Sequence, residues 1–389
     1  MNIGGPAHHV AILCSAFNNE RWESILATGN VSASEADAGY LLESSGCRKH
    51  TIPEMQRPLH FRKDTIACWK IFRILLEEHP DILHTHTSKA GALGRTVGIL
   101  YRILTGRPLK MVHTFHGHAL EGYFGGIANR CFLGVERFLS KRTDRLIAVS
   151  NSVKRELVHL KVAPPKKIDV IPLGLALEPF FQINGSGSNT RPFRIGFVGR
   201  LVPIKEPQLL LEALANLARS AETAPFEAVL AGDGELRHGL EKQAEKLGLT
   251  DKVRFLGWQR DLPQVYGSLD LVCLTSRNEG TPVSLIESLA ASRAAISTDV
   301  GGVRELLNGN EQAGRGSERG FEICEHGLLV RSGDAEGLAE AIRFLMKESS
   351  LRQEMGRRGR GYVRAKYGAD RLVRDVERLY ESLVPDSAP

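Results

Sequence analysis

Short apolar, β-branched runs alternate with amphipathic segments along nearly all of this 389-residue chain, and the alternation stops once and restarts. In the front half the strand-type runs are Asp81 to Thr85, Lys110 to Thr114, Arg145 to Val149 and Asp169 to Pro172. Between them lie helical patterns at Thr65 to Glu78, Lys89 to Leu104, Ile127 to Ser140 and Ser152 to Leu160, with apolar residues such as Ile71, Ile74 and Leu75 at helical spacing. Strands that are apolar on both faces and alternate with helices build parallel sheets covered on both sides. The pattern pauses over Leu175 to Pro192, where Gly, Ser, Asn and Pro accumulate. It resumes at Arg194 to Val198, Glu227 to Ala231, Lys252 to Leu256, Asp270 to Leu274 and Ala294 to Ser297. The expected fold is therefore α/β, with two Rossmann-like, doubly wound parallel-sheet domains over residues 1–175 and 193–368 and a hinge over 176–192. Asn308 to Gly320 reads as an exposed loop insertion. The closing amphipathic pattern, with Leu372, Val376, Leu379 and Leu383, predicts a helix within 369–389 that packs back toward the first domain. Open α/β sheets bind ligands beyond the carboxyl ends of their strands, so a central cleft between two such domains is the expected active site.

Composition removes several classes. Hydrophobic residues make up 42 % and charged residues 25 %, which is neither a disordered nor a fibrous chain. No run approaches the roughly 18 apolar residues of a spanning helix, and Met1 to Pro6 has no secretory character. Six cysteines without a Cys-x-x-Cys pair suggest reduced, mostly buried thiols and a cytoplasmic setting. The net charge of +6 is uneven: residues 1–175 hold 23 Lys and Arg against 15 Asp and Glu. A basic half suits an anionic partner, whether nucleic acid, a phosphorylated substrate or an anionic membrane face.

Two segments carry chemistry. In the stretch from Asn278 to Glu287, Thr281 is the expected N-cap and Pro282 the first helical residue, so the helix start presents free backbone N–H groups suited to an anion. Glu279 and Glu287 flank seven residues, and a carboxylate accepts two hydrogen bonds from a vicinal diol. In the loop from Gly199 to Lys205, Gly199 permits close backbone approach while Arg200 and Lys205 supply two cations for phosphate oxygens.

Together these segments resemble the donor site of retaining glycosyltransferases of the GT-B fold, most closely glycosyltransferase family 4 (glycosyl transferases group 1). The pieces carrying the resemblance include the Glu279–Glu287 pair, the Arg200 and Lys205 loop, Ala231 to Gly234, Phe255 to Gly257, Val300 to Gly302 with Glu305, and Gly327 to Val330. In the front half they are Gly4 to Pro6, Asp81 to His86, His113 to His118 and Ala148 to Ser150. The resemblance implies that Glu279 holds the transferred sugar, Glu287 the nucleotide ribose, and Arg200 with Lys205 the diphosphate, while backbone N–H groups of Gly280, Thr281 and Val283 face the sugar and β-phosphate. It places His116 beside the sugar and the incoming hydroxyl, and Gly4 and Gly5 in a loop approaching the phosphates. His86, Lys89 and His118 are expected to line the acceptor pocket, with His84 and His113 packed at strand ends.

The implied activity is a retaining, metal-independent transfer from a nucleotide-sugar, with UDP-sugar the preferred donor and guanosine diphosphate-mannose left open, to a glycan or lipid-phosphate-linked acceptor in polysaccharide or glycolipid biosynthesis. No cofactor is expected, because no Asp-x-Asp pair lies at a strand end. Nucleic acid is not an expected partner. The helical segments Lys89 to Leu104 and Ile127 to Arg145 mix Leu100, Ile103, Leu104, Phe132, Leu133, Phe138 and Leu139 with Arg95, Arg102, Arg130, Arg137, Lys141, Arg142 and Arg145, a pattern that suits peripheral contact with an anionic inner membrane face. Two alternatives stand beside transfer: nucleotide-sugar epimerisation, and nucleotide-sugar binding without turnover. The second arises because the family begins with a buried strand before the Gly-rich loop, whereas here Gly4 and Gly5 almost open the sequence and an interior strand of the first sheet is expected to be missing.

Overall fold

The computed structural model describes residues 5–30, 46–56, 58–117, 126–183, 192–220, 223–309, 315–316 and 320–384. The chain divides into two compact units, one of residues 1–175 with 369–389 and the other of residues 176–368.

The first unit opens with α1 (Gly5–Ala16) and two paired parallel strands, β1 (Ile25–Gly29) and β2 (Arg48–Ile52). Gly5 is thus helical rather than part of a loop, and Pro6 sits in the first turn, where a missing N–H is harmless. Gly4 lies outside the described residues. Then α2 (Phe61–Glu78), β3 (Ile82–His86), α3 (Ser88–Thr105), β4 (Lys110–Phe115), α4 (Gly126–Arg142), β5 (Arg145–Ala148), α5 (Asn151–His159) and β6 (Ile168–Val170) alternate as the periodicity demands. The strands form a parallel sheet in the order β3-β4-β5-β6. The last strand stops before Pro172, which has no N–H to donate to a ladder.

The second unit contains α6 (Glu178–Phe181), β7 (Phe193–Val198), α7 (Pro207–Arg219), β8 (Phe226–Ala231), α8 (Arg237–Lys246), β9 (Val253–Gly257), α9 (Leu262–Ser268), β10 (Leu271–Leu274), α10 (Val283–Ala290), β11 (Ala294–Thr298), α11 (Val303–Asn308), β12 (Arg315–Gly316), β13 (Phe321–Ile323), β14 (Gly327–Val330), α12 (Ala335–Lys347) and α13 (Ser349–Lys366). Its sheet runs β12-β13-β14-β11-β10-β7-β8-β9, parallel from β9 to β14 and closed by an antiparallel hairpin. Arg315 and Gly316 belong to that hairpin, so the expected loop insertion is partly a strand, its ladder running through Arg315 with Ile323. Ile195, Phe197, Leu210, Leu214, Leu230, Leu271, Ile296, Leu328 and Ile342 form the buried core beneath the sheet.

Finally α14 (Ala369–Leu383) belongs to the first unit. Its stripe of Leu372, Val376, Leu379 and Tyr380 packs on Leu13, Phe17, Val112, Ile147 and Ile171, and Arg371 donates to the backbone oxygens of Pro172 and Leu173 at 2.7 and 2.8 Å. All six cysteines are free thiols, with Cys131 exposed. No helix among the described residues is long and apolar enough to cross a membrane.

Candidate active site

In the second unit, the turns after β7 and β8 are zipped together. Gly199 N–H donates to Ala231 O at 3.0 Å, and Leu201 N–H to Asp233 O at 2.9 Å. Gly232 lies so close to the Gly199 carbonyl that a Cβ would sit 1.9 Å from its oxygen, and its φ of +142 excludes most side chains. Arg200 projects from this turn, exposed; its carbonyl accepts from Val202 N–H at 3.0 Å, and its side chain has no hydrogen bond or ion pair to a described residue.

One short helical turn, Pro203–Lys205, carries Lys205. The segment after β10 anchors it: Thr275 Oγ1 donates to Lys205 O at 3.0 Å and Arg277 N–H to Ile204 O at 2.9 Å. Glu206, held in the left-handed region at φ 45, pairs its carboxylate with the Arg277 guanidinium. Two strand ends adjacent in the sheet are thereby fixed against each other, and their side chains meet. Lys205 Nζ forms an ion pair with Glu279 Oε1, and Ser276 Oγ donates to the same oxygen at 2.6 Å. Gly302 N–H donates to the Glu279 carbonyl at 3.3 Å, which ties the loop to the turn before α11.

The start of α10 differs from the expected cap by one residue. Pro282 takes the cap position with an extended ψ of 115, and the helix begins at Val283. Proline's fixed φ suits either position, and here the extended ψ delays the first helical turn. Thr281 does not cap the helix; its hydroxyl is buried and makes no hydrogen bond among the described residues. The first two N–H groups of α10, at Val283 and Ser284, have neither an intrahelical acceptor nor a side-chain cap. Beside Gly280, that leaves a buried hydroxyl and free donors next to the Lys205–Glu279 pair, an arrangement that accepts an anion.

Glu287 lies farther along α10, nearly buried, with Tyr266 Oη 2.9 Å from its Oε2. Loss of solvent pushes its carboxyl up to about 7, and the tyrosine hydrogen bond opposes that rise. Neither Tyr266 nor Ser276 is marked by any local sequence signal; α9, α10 and β10 bring them to the glutamates.

The remaining residues singled out in the sequence belong to the first unit. His86 Nδ1 and His116 Nε2 are 3.0 Å apart, so one of the two rings must carry the shared proton and the other accept it. His84 is not idle packing: its nitrogens lie 2.6 Å from Tyr380 Oη and 2.7 Å from Thr114 Oγ1. His113 is buried against Thr85 Oγ1 at 2.9 Å. His9 of α1 packs edge-on against both His86 and His116, with ring centroids at 5.4 and 5.0 Å. Burial drives His84 down to about 3 and His116 to about 4. Lys89 is committed to an ion pair with Asp64 and a hydrogen bond to Pro58 O. His118 lies outside the described residues. Among the described residues no group of three or more His, Cys, Asp or Glu can hold a metal ion.

Two parallel-sheet α/β units, the second with Lys205 and Glu279 meeting at adjacent strand ends, fit the class of GT-B glycosyltransferases. The family models agree along the chain: residues 3–178 match "Glycosyltransferase Family 4" and residues 180–362 match "Glycosyl transferases group 1". The chain belongs to this glycosyltransferase family. It is 30 % identical over 264 residues to the UDP-Gal:alpha-D-GlcNAc-diphosphoundecaprenol alpha-1,3-galactosyltransferase of Escherichia coli, covering 66 % of this chain and 67 % of that one. It is 27 % identical over 335 residues to the D-inositol 3-phosphate glycosyltransferase of Salinispora tropica, covering 79 % and 65 %. Among solved structures, HepE of Anabaena in complex with UDP superposes with a TM-score of 0.76 at 18 % identity, over 97 % of this chain and 96 % of that one.

Proposed function

We propose that this glycosyltransferase moves a sugar from a UDP-sugar to a glycan or lipid-diphosphate acceptor, with retention of anomeric configuration and without a metal ion. The observation carrying the reading is the contact of Lys205 with Glu279 beside the uncapped start of α10. Relatives supply the rest of its support: one is named for a UDP-galactose donor and a diphosphoundecaprenol acceptor, and a structural neighbour binds UDP.

Cleaving a sugar–phosphate bond leaves negative charge on the diphosphate and positive charge at the anomeric carbon. Arg200, Lys205 and the α10 donors stabilise the departing oxygens more in the transition state than in the ground state, and so take the place of a divalent cation. Glu279, released from Lys205 by the arriving diphosphate, accepts the sugar hydroxyls, and Glu287 accepts those of the ribose. The acceptor oxygen attacks the face from which the phosphate leaves. The anomeric C–O bond to phosphate breaks, the new C–O bond forms, and the acceptor proton passes to the phosphate oxygen. His116 stands on the acceptor side. The exposed apolar and basic surface of α3 and α4 suits peripheral contact with a membrane carrying the acceptor.

Turnover with a panel of UDP- and GDP-sugars, in chelator-treated buffer, tests this reading. Arg200→Ala or Lys205→Ala is expected to lower kcat by about 10²–10³-fold, as for loss of one preorganised donor. Wild-type kinetics in both variants, a strict metal requirement, or an inverted anomer in the product each contradicts it.

A further inference from the structure

Tyr266 has one hydroxyl proton and two acceptors within reach: Glu287 Oε2 at 2.9 Å and the Ser284 backbone oxygen at 3.0 Å. Its ring is wholly buried, with Phe180 edge-on at 5.7 Å, and Arg293 Nε holds its carbonyl at 3.1 Å, so neither the ring nor its backbone has room to move. Two hydrogen-bond states satisfy every group. With Glu287 ionised, Tyr266 donates to the carboxylate. With Glu287 protonated, the acid donates to Tyr266 Oη, and the tyrosine proton turns to Ser284 O. No heavy atom has to move between them.

A ribose diol distinguishes these states. Its two hydroxyls donate to a carboxylate, whereas a neutral carboxyl retains a proton of its own to place. We propose that Tyr266 is the positioning residue that makes nucleotide binding proton-linked: the arriving ribose expels the Glu287 proton to solvent and turns the tyrosine hydroxyl from Ser284 O to the carboxylate. The inference rests on the reading of Glu287 as the ribose-binding group.

The surroundings leave this pair in control. Against α10, β10 brings only the buried thiol of Cys273, β11 brings no titratable side chain, and Glu178 of α6 is exposed. From α13, Arg360 is bound to Phe181 O, Ile183 O and Ser292 Oγ, Glu354 to Arg357 and Arg358, Lys366 to Glu305, and Arg352 to Leu345 O, while Arg364 lies over Phe181. Arg293 donates to Tyr266 O and Gly267 O. Burial raises the Glu287 carboxyl to about 7 and the Tyr266 hydrogen bond opposes that rise, so the transition falls near neutral pH.

Isothermal titration of UDP-glucose from about pH 5.5 to about pH 8.5, in buffers of different ionisation heat, reads the linkage directly. The diphosphate of this probe has no group titrating in that range. Wild-type affinity is expected to fall about tenfold per pH unit on the acid side, with about one proton released per nucleotide bound there. Tyr266→Phe removes a donor to the ionised form, so its midpoint moves upward and its deficit shrinks at high pH. Glu287→Gln binds more weakly and equally at every pH. A flat wild-type profile without proton release, or a Tyr266→Phe deficit equal at every pH, overturns the proposal while leaving the ribose reading intact. Undiminished binding in Glu287→Gln, or no binding of UDP-glucose or GDP-mannose to wild type, overturns that reading and the inference with it.

Discussion

His9 illustrates how a single residue can run against the economy of a core. It is fully buried, and neither ring nitrogen has a hydrogen-bond partner among the described residues. A neutral imidazole has one donor and one acceptor to satisfy, and leaving a buried polar group unpaired costs about 1–3 kcal/mol. Its contacts with His86 and His116 are edge-on ring contacts, which phenylalanine reproduces. His9→Phe is therefore expected to raise the melting temperature of the first unit, read by calorimetry at pH 7. A fall in that temperature means the nitrogens are paired. Sequence alone marks His84, His86, His113 and His116 by their alternation at strand ends; His9 carries no such mark. The Lys205 and Glu279 positions are legible for a related reason: each follows a strand, and the β10–β7 register brings the two strand ends side by side. Tyr266 is not legible, because its partner is chosen by how α9 packs on α10.

At the scale of elements, hydrophobic period identifies a helix but not which of its faces meets water. Of the residues suggesting a membrane-facing surface on α3 and α4, Arg95 and Leu139 point inward. Arg95 pairs through NH2 with both Glu136 oxygens at 2.8 Å in a bridge that is wholly buried, and Leu139 is buried too. Arg102 is taken up by Asp144, and Arg137 donates to Leu160 O. What remains outside is Leu100, Ile103 and Leu104 on α3, with Val135 and Phe138 on α4, the Arg142 guanidinium lying 4.1 Å from the Phe138 ring centre. α2 adds Phe61, 88 % exposed, and Trp69, stacked under Arg73, neither suggested by the sequence pattern. Sedimentation with phosphatidylglycerol vesicles, but not with phosphatidylcholine, is the expected behaviour. Ile103→Ser with Phe138→Ser is expected to weaken it at least about tenfold, given roughly 1.5–3 kcal/mol per buried apolar side chain. Equal sedimentation of the double variant removes this surface from membrane contact.

For the molecule as a whole, the buried histidines of the first unit and Glu287 of the second are expected to respond to acid in opposite directions, while His326 of the second unit, also lowered by burial, sides with the former. Burial holds His8, His9, His86 and His113 of the first unit below the ordinary 6.5, and takes His116 down to about 4 and His84 to about 3. Their contribution to stability is complete above 6.5 and is lost as pH falls below it, about 2 kcal/mol each for His84 and His116 by pH 5. Glu287 in the second unit has a raised value of about 7 against 4.5 when unfolded, so its contribution is greatest below 4.5 and is lost as pH rises through 7. Calorimetry at about pH 7.5 and about pH 5 is expected to show one transition moving to markedly lower temperature in acid while the other holds or rises. Parallel shifts of both transitions contradict this assignment. The α/β class was open to reading from the alternation of runs, since parallel strands buried on both faces leave a continuous apolar signature. The sheet order was not, because which strands become neighbours is decided by crossovers and packing rather than by any run of residues.

The salt bridge between Lys205 and Glu279 has a bearing on what an empty enzyme ignores. Free phosphate, to capture the lysine, must strand a half-buried glutamate; a plain sugar, to capture the glutamate, must strand the lysine. On the proposed reading, only a molecule that is anionic at one end and rich in hydroxyls at the other separates the two without orphaning either, so the bond that the donor would open is expected to turn simpler solutes away.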